Sequence, residues 1–254
     1  MTGPGDERGT VLDAVIAEAD EILPRHGLTH LDVCSCGVCM SLDLQAAVAR
    51  MDRPEIPAAA MADWFGAAKG DDGRVSVPVA EHLGPRILRL IRDDSDIHGI
   101  ERAFDACAFG DRTRWTGRQA VLLDRAATAI LDLYRGDAPR GEMLDDTLCM
   151  LARGRYDVAP LLSAIEAWPD RDIVQRLWRD WVSWCQMPMV WRTAFWDDPL
   201  VEDARLATAD WYAGPALRAA VDRFLETTPT DDPDWDRAAD VEMALAAYAP
   251  PSSR

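Results

Sequence analysis

The chain has 254 residues, of which 48% are hydrophobic, so it is expected to fold around a substantial core rather than to stay disordered. Its 27 basic residues stand against 44 acidic ones, which gives a formal net charge of −17 at pH 7. Binding to phosphate backbones requires clustered Lys and Arg, so we expect no nucleic-acid partner and no anionic membrane surface as a partner.

The sequence contains no stretch that approaches the roughly 18 consecutive apolar residues of a membrane-spanning helix. Its opening letters, MTGPGDERGT, lack the basic start and the apolar segment of a secretory signal. We therefore expect a cytoplasmic protein, in a compartment where thiols stay reduced.

Apolar residues recur at helical spacing through almost the whole chain. Alternation typical of a strand is confined to Val75, Val77 and Val79, where Pro78 interrupts it. The predicted fold class is all-α, either a multi-helix bundle or an array of helical hairpins, with a short cysteine-rich loop near the N-terminus.

Capping residues predict where the first helices begin. Thr10 is the expected N-cap of a helix that ends before Pro24, and Ser41 is the expected N-cap of the next. A further helix is predicted over 56–68, and the Gly- and Asp-rich stretch 70–79 is the most loop-like part of the interior of the chain. We accordingly predict an N-terminal helical subdomain over 1–74 and a helical domain with a Trp-rich centre over 75–254, with a single domain as the alternative.

The later part of the chain is predicted to be a succession of helices. Thr116 and Gln119 have the spacing of a capping box and open the longest clear helix. Further helices are predicted over the following ranges: 142–151, 158–168, 170–185, 199–212, 215–225 and 233–248.

Tryptophan is concentrated in the second half of the chain. The tryptophans of this region are Trp168, Trp178, Trp181, Trp184, Trp191, Trp196 and Trp211. Their helical spacing favours packing in the core, and an aromatic-walled pocket or partner groove is the alternative. The apolar segment 187–196 is interpreted as a short buried helix or as a cover over such a pocket.

The chemically distinctive segment is a cysteine cluster formed by Cys34, Cys36 and Cys39. In a reducing compartment, closely spaced thiols indicate metal binding or redox chemistry rather than a disulfide framework. Cysteines separated by two residues, as Cys36 and Cys39 are, allow a tight turn to direct both sulfurs at one ion. Gly37 favours such a turn, and a helix starting after Ser41 favours thiolates near its positive end.

A fourth ligand is less evident from the sequence. His30 is the nearest candidate because it precedes Cys34 by four residues, and His26 and Asp32 are the next choices. Cys107, Cys149 and Cys185 lie among apolar helical residues, where an isolated cysteine is ordinarily a small core side chain. The predicted metal ligands are therefore Cys34, Cys36, Cys39 and His30.

Zinc is the predicted metal, because it takes four thiolate or imidazole ligands. An iron–sulfur cluster and copper(I) are the alternatives that the same thiols allow. The sequence contains no phosphate-binding glycine loop, nucleophile elbow, HExxH segment or dinucleotide fingerprint.

These observations lead to two functional hypotheses. The first is a zinc-binding, all-helical cytoplasmic protein that acts through interaction with another protein. The second is a thiol-redox, iron–sulfur or metal-dependent enzyme that uses the cysteine cluster, with the Trp-rich region as a pocket wall. The sequence does not indicate a substrate or an oligomeric state, and it leaves open whether the chain is an enzyme.

Overall fold

The structure is a computed structural model, and it describes residues 4–34, 36, 38–70, 72–95, 99–138, 140, 143–183 and 193–248. These residues form an all-α fold, and the cysteine cluster lies in a short N-terminal loop, so the predicted fold class is confirmed.

From the N-terminus onward, the α-helices are α1 (Pro4–Ile22), α2 (Leu42–Val48), α3 (Ala58–Gly66), α4 (Val77–Arg92), α5 (Ile100–Cys107), α6 (Gly117–Asp132), α7 (Leu144–Arg153), α8 (Val158–Glu166), α9 (Asp170–Leu177), α10 (Glu202–Ala213), α11 (Pro215–Thr227) and α12 (Trp235–Ala247). Shorter helical turns are a π-helix at Trp178–Ser183 and 3-10 turns at Arg53–Glu55, Ala194–Asp197 and Pro199–Val201.

The chain divides into two compact units. The first comprises Met1–Ile130 with Arg153–Tyr156, and the second comprises Leu131–Ala152 with Asp157–Arg254. This division does not test whether residues 1–74 fold on their own, so the boundary after residue 74 stays a prediction.

In the first unit, α1 packs along α4. The expected N-cap at Thr10 is wrong, because the helix begins at Pro4, where a first turn tolerates a missing N–H, and Thr10 lies inside it.

Arg92 on α4 donates to Asp13 on α1 at 3.0 and 3.1 Å. Its guanidinium lies where a side chain at position 9 would be, so Gly9 allows the two helices to pair here.

Two capping predictions in the first unit are confirmed. The Ser41 hydroxyl accepts a hydrogen bond from the Leu44 N–H at 3.2 Å and starts α2. The Thr116 N–H donates to Oε1 of Gln119 at 3.0 Å, while the Gln119 N–H faces the Thr116 hydroxyl at 3.5 Å. Both sites follow from local sequence because a cap needs only neighbouring residues.

In the second unit, α9 packs against α11 and α12. The predicted helix over 170–185 is confirmed as far as Ser183, the last described residue of this range, but its geometry changes from α to π after Leu177. Arg176 and Asp180 form a buried ion pair across this change, and Asp180 also accepts from the Leu144 N–H at 3.1 Å. A π-type turn shifts the side chains that follow it relative to an α-helical register.

Most described tryptophans of the Trp-rich region lie in the core. Trp181 is 1% exposed and contacts the rings of Tyr212 and Tyr248 at 4.9 and 5.6 Å between centroids. The other buried tryptophans of this region are Trp168, Trp196 and Trp211. Trp184, Trp191 and most of the segment 187–196 lie outside the described residues.

None of the helices within the described residues is both long enough and apolar enough to cross a lipid bilayer.

Candidate metal centre

The cysteine cluster lies on a loop between two ordered anchors. At its start, Val33 forms an isolated antiparallel bridge with Lys69, and the Cys34 N–H donates to the Ala68 carbonyl at 2.8 Å. At its end, Ser41 caps α2. The first anchor is made by backbone groups and the second by the Ser41 hydroxyl, and together they fix the two ends of the loop. Ser35 and Gly37 lie outside the described residues, and the predicted role of Gly37 falls on one of them.

The loop brings the three predicted cysteine ligands together. The sulfurs of Cys34, Cys36 and Cys39 all lie within 4.8 Å of one another, and no other group of potential ligands of this kind occurs in the part of the chain that is described. The Sγ atoms of Cys36 and Cys39 are 3.8 Å apart, and all three residues are free thiols. Two ligands of a tetrahedral ion with metal–sulfur bonds of about 2.3 Å are separated by about 3.8 Å, so this pair already has the spacing that zinc requires.

A buried amide holds both ends of the loop. Gln45 on α2 is 3% exposed, and its Nε2 donates to the Met40 carbonyl at 3.0 Å and to the Cys34 carbonyl at 3.3 Å. The two carbonyls bracket the segment that carries the three sulfurs. Gln45 therefore acts as a clamp, which sequence analysis missed because a glutamine in a short helix carries no signal for it.

Hydrogen bonding shifts the pKa values of two of the thiols in opposite directions. The Cys34 thiol and the N–H groups of Cys39 and Val38 stabilise the Cys36 thiolate, and they lower its pKa from 9.0 to about 6. The same contact with Cys36 raises the pKa of Cys34. Cys36 is exposed, and its own N–H faces the Cys34 sulfur at 3.3 Å. The loop therefore holds one ready thiolate, which is the form that binds metal.

The single lysine of the chain lies next to this loop. The Nζ of Lys69 donates to the carbonyls of Trp64, Phe65 and Ala67 at 2.5, 3.1 and 2.9 Å, and it lies 4.5 Å from the Trp64 ring centroid. Burial lowers the pKa of Lys69 to about 8, and Cys39 and Cys107 act in the opposite direction. Lys69 thus closes the C-terminal end of α3 and places a cation near the thiol cluster.

His30 does not belong to the group of ligand atoms that lie within 4.8 Å of one another. Its Nδ1 lies 2.9 Å from Oδ1 of Asp32, and Oδ2 of Asp32 accepts from the Ser76 N–H at 2.7 Å. The imidazole is 70% exposed, and a proton on Nδ1 leaves Nε2 as the coordinating nitrogen. The assignment of His30 as the fourth ligand stays a prediction.

The other candidate ligands have different surroundings. His26 pairs with the buried carboxylate of Glu81, and Asp32 is engaged by Ser76 and His30. Cys107 and Cys149 are buried, and burial raises the pKa of Cys107 to about 12. These two residues pack in helices, as expected for core cysteines, whereas Cys185 lies outside the described residues.

Comparison of the chain with protein-family models, with curated proteins and with solved structures gives no match.

Proposed function

We propose that the chain is a zinc-binding protein in which Cys34, Cys36 and Cys39 supply three ligands and His30 supplies the fourth. The observation that carries the proposal is the convergence of three free thiols within 4.8 Å. Thiolate and imidazole ligands in a four-coordinate set are the donors that structural zinc sites use. When bound, the ion would cross-link the loop ahead of α2.

The surroundings of His30 support this ligand set. A metal-bound histidine commonly donates its second ring N–H to a carboxylate, which fixes the ring and makes the coordinating nitrogen more basic. A proton on Nδ1 of His30 would be donated to Oδ1 of Asp32, which lies 2.9 Å away. The Asp32 N–H also faces Nδ1 at 3.4 Å, and the Ser76 N–H holds the Asp32 carboxylate.

The metal centre is proposed to present an interaction surface to a protein partner. Val38, between Cys36 and Cys39, is 90% exposed, and Leu42 at the start of α2 is 59% exposed. Apolar side chains held on a cross-linked loop lose little conformational freedom when a partner covers them. This proposal rests on exposed apolar side chains next to the thiol cluster.

Elemental analysis of protein purified without added metal tests the zinc proposal. We expect about one zinc per chain in the wild type and a loss of most of it in Cys36→Ser and Cys39→Ser, because a structural site needs its full ligand set. Cys107→Ser is the matched control, since that thiol is buried and does not belong to the group of converging sulfurs, so the zinc content should stay unchanged. Wild-type protein without metal, or Cys36→Ser with an undiminished zinc content, contradicts the proposal.

The fourth ligand is tested separately with cobalt(II) in place of zinc. We expect His30→Gln to weaken cobalt binding by about 10- to 100-fold and to alter the absorption bands of tetrahedral thiolate-bound cobalt. His26→Gln is the control, because His26 is committed to Glu81. Unchanged bands in His30→Gln remove His30 from the ligand set and leave the cysteine assignment standing.

The partner proposal is tested by substituting the exposed loop residue. Val38→Ser should abolish co-purification of a defined partner that both the wild type and Val121→Ser retain. Val121 on α6 is a suitable control because it is also a surface valine, 59% exposed, outside the metal loop. Equal recovery of every co-purified protein with Val38→Ser and Val121→Ser contradicts a role for the loop.

A second candidate function is thiol-redox chemistry at the same site. The specific observation in its favour is an exposed Cys36 with a pKa of about 6 next to a second thiol. Metal-free native protein whose Cys36 and Cys39 form a reversible disulfide would favour this function. Coloured protein that contains iron or copper would instead favour the iron–sulfur or copper(I) alternatives.

A further inference from the structure

The first unit contains a cavity of about 290 Å³ that is separate from the cysteine loop. Its lining comes from residues 25–28 after α1, from residues 49–53 after α2, and from His82 on α4. No ligand proposed for the metal centre is among them. The volume lies at the lower end of the range of about 300 to 1,000 Å³ that small-molecule sites occupy, so the cavity is suited to a small ligand.

The lining is cationic although the chain carries a net charge of −17. It includes Arg25, Arg50 and Arg53 and one acidic residue, Asp52. Arg25 pairs with Asp52 at 3.0 Å on the exposed rim, where an ion pair contributes little and is readily exchanged. Arg50 is exposed and has no side-chain partner among the described residues. Three arginines against one aspartate give the lining side chains a formal charge of about +2, and the Asp20 carboxylate lies near Arg53 outside the lining.

Arg53 has an unused donor in a buried position. It is 1% exposed. Its Nη2 donates to the carbonyls of Leu23 at 2.9 Å and Pro24 at 2.6 Å, and its Nη1 donates to the Asp20 carbonyl at 3.4 Å. The Asp20 carboxylate lies 3.9 Å from it. The Nε of Arg53 has no hydrogen-bond partner among the described residues. Buried donors are rarely left unpaired, so this nitrogen is available to a water molecule or to a ligand group.

His26 forms a fixed wall of the same cavity. Its Nε2 contacts Oε2 of Glu81, a carboxylate that is 5% exposed, and Oε1 of Glu81 accepts from Nε2 of Gln119 at 2.5 Å. Gln119 is held in turn by the capping box with Thr116. The histidine is thus supported through three successive side chains, an arrangement typical of a preorganised site rather than of a surface residue.

We propose that this cavity binds the phosphate group of a small ligand, either inorganic phosphate or a phosphomonoester, through Arg25, Arg50 and Arg53. Guanidinium groups match the geometry of phosphate oxygens in forked hydrogen bonds. A phosphoryl group carries about −1.5 to −2 charges at pH 7, which balances the charge of the lining better than a single carboxylate does. This site is independent of the proposed zinc function.

Calorimetric titration of the full-length, metal-replete protein tests the proposal. Inorganic phosphate and glycerol phosphate are titrated separately in a phosphate-free buffer at low salt. We expect saturable one-to-one binding of at least one of them, weakened about tenfold by Arg50→Gln and by Arg25→Gln. Tighter binding of glycerol phosphate identifies a substituted ligand, and tighter binding of inorganic phosphate identifies the free ion.

Arg112→Gln is the matched control, because Arg112 is exposed and paired with Asp124 on the same unit, much as Arg25 is paired with Asp52. It should leave the affinity unchanged. Neither ligand binding saturably, Arg50→Gln binding as tightly as the wild type, or an equal loss in Arg112→Gln would each overturn the proposal. Arg53 is not substituted, since its replacement would also remove the hydrogen bonds to the carbonyls at the end of α1.

Discussion

Cys36 and Cys107 carry the same thiol group in opposite surroundings. Cys36 is exposed and receives hydrogen bonds that stabilise its charged form, whereas Cys107 is fully buried and its charged form has lost solvation by water. The pKa of the first is lowered to about 6, and that of the second is raised to about 12. At neutral pH only Cys36 of these two is a thiolate, which is the reactive form.

Alkylation of the metal-free protein should therefore depend on pH in a residue-specific way. The thiolate fraction of Cys36 rises as the pH rises through about 6, so its reaction with iodoacetamide should be half-maximal near that pH and level off above about pH 7. Cys34, whose pKa is raised, should react more slowly at each of these pH values, and Cys107 should not react in the folded protein. Mass spectrometry of quenched samples measures each site, and equal slow reaction at Cys34, Cys36 and Cys39 would contradict this prediction.

Among individual residues, the cysteine cluster could be predicted from the sequence, whereas the residues that hold its loop could not. The spacing of Cys34, Cys36 and Cys39 is local, so it predicts convergence before any fold is known. Gln45 and Lys69 act through contacts with carbonyls that the fold brings near them, and a lone glutamine or lysine has no spacing to recognise. The cavity lined by Arg25, Arg50 and Arg53 was missed for the same reason.

Among the helices, α2 is the support on which the cysteine loop rests. Gln45 is its buried polar residue and joins the helix to the Cys34 and Met40 carbonyls. Replacement by methionine keeps the size and the helix propensity of the side chain but removes both hydrogen bonds and leaves carbonyls without their donor. Gln45→Met should therefore loosen the cysteine loop without unfolding α2.

The Gln45→Met variant should release its bound metal to a chelator about tenfold faster than the wild type does. Its far-ultraviolet circular dichroism spectrum should stay unchanged. The expected cost is about 1 to 3 kcal/mol, since a buried polar group loses its partner. Release is followed with a chromogenic chelator. Gln119→Met is the control, because its amide serves Glu81 rather than the loop, and the same acceleration in that variant would refute the clamp.

The change from α9 to a π-helix is a feature that the spacing of apolar residues does not predict. Apolar residues run at helical spacing through both segments, so the sequence predicts one helix. The helix does continue through both segments, with a change to π geometry after Leu177. Arg176 and Asp180 form a buried pair across this change, with Nε of Arg176 donating to Oδ2 of Asp180 at 2.8 Å and its Nη1 donating to the Tyr134 carbonyl at 3.3 Å. A pattern of apolar residues carries no information about such polar contacts, either within the helix, as between Arg176 and Asp180, or with a distant segment, as with Tyr134.

Arg176→Ala should lower the free energy of unfolding by about 3 to 5 kcal/mol, because it leaves the buried Asp180 carboxylate unpaired. Arg223→Ala is the control, since Arg223 pairs with Asp170 at the surface and should contribute about 1 kcal/mol or less. Urea unfolding followed by tryptophan fluorescence measures both variants. If both variants lose a similar free energy of unfolding, burial of the Arg176–Asp180 pair does not increase its contribution to stability.

Over the full chain, the division into two units depends on long-range contacts. The segment Arg153–Tyr156 belongs to the first unit although the residues around it belong to the second. Gly110 donates to the Gly154 carbonyl at 2.7 Å, and a Cβ at Gly110 would come within 2.4 Å of the Tyr156 nitrogen. Only glycine permits this close approach. The sequence shows that residue 110 is glycine, but it does not show that the backbone of residues 154–156 packs against it.

All proposed metal ligands lie in the first unit, so metal removal should act there first. A bound ion stabilises the state that binds it, and in this fold that state is the cysteine loop clamped to α2 and held by the end of α3. Chelation should therefore speed amide hydrogen exchange in α2 and α3 by about tenfold or more. Exchange in α11 and α12, which carry no proposed ligand, serves as the internal reference in the same mass-spectrometric measurement. A uniform increase across α2, α3, α11 and α12 would mean that the ion does not act as a local cross-link.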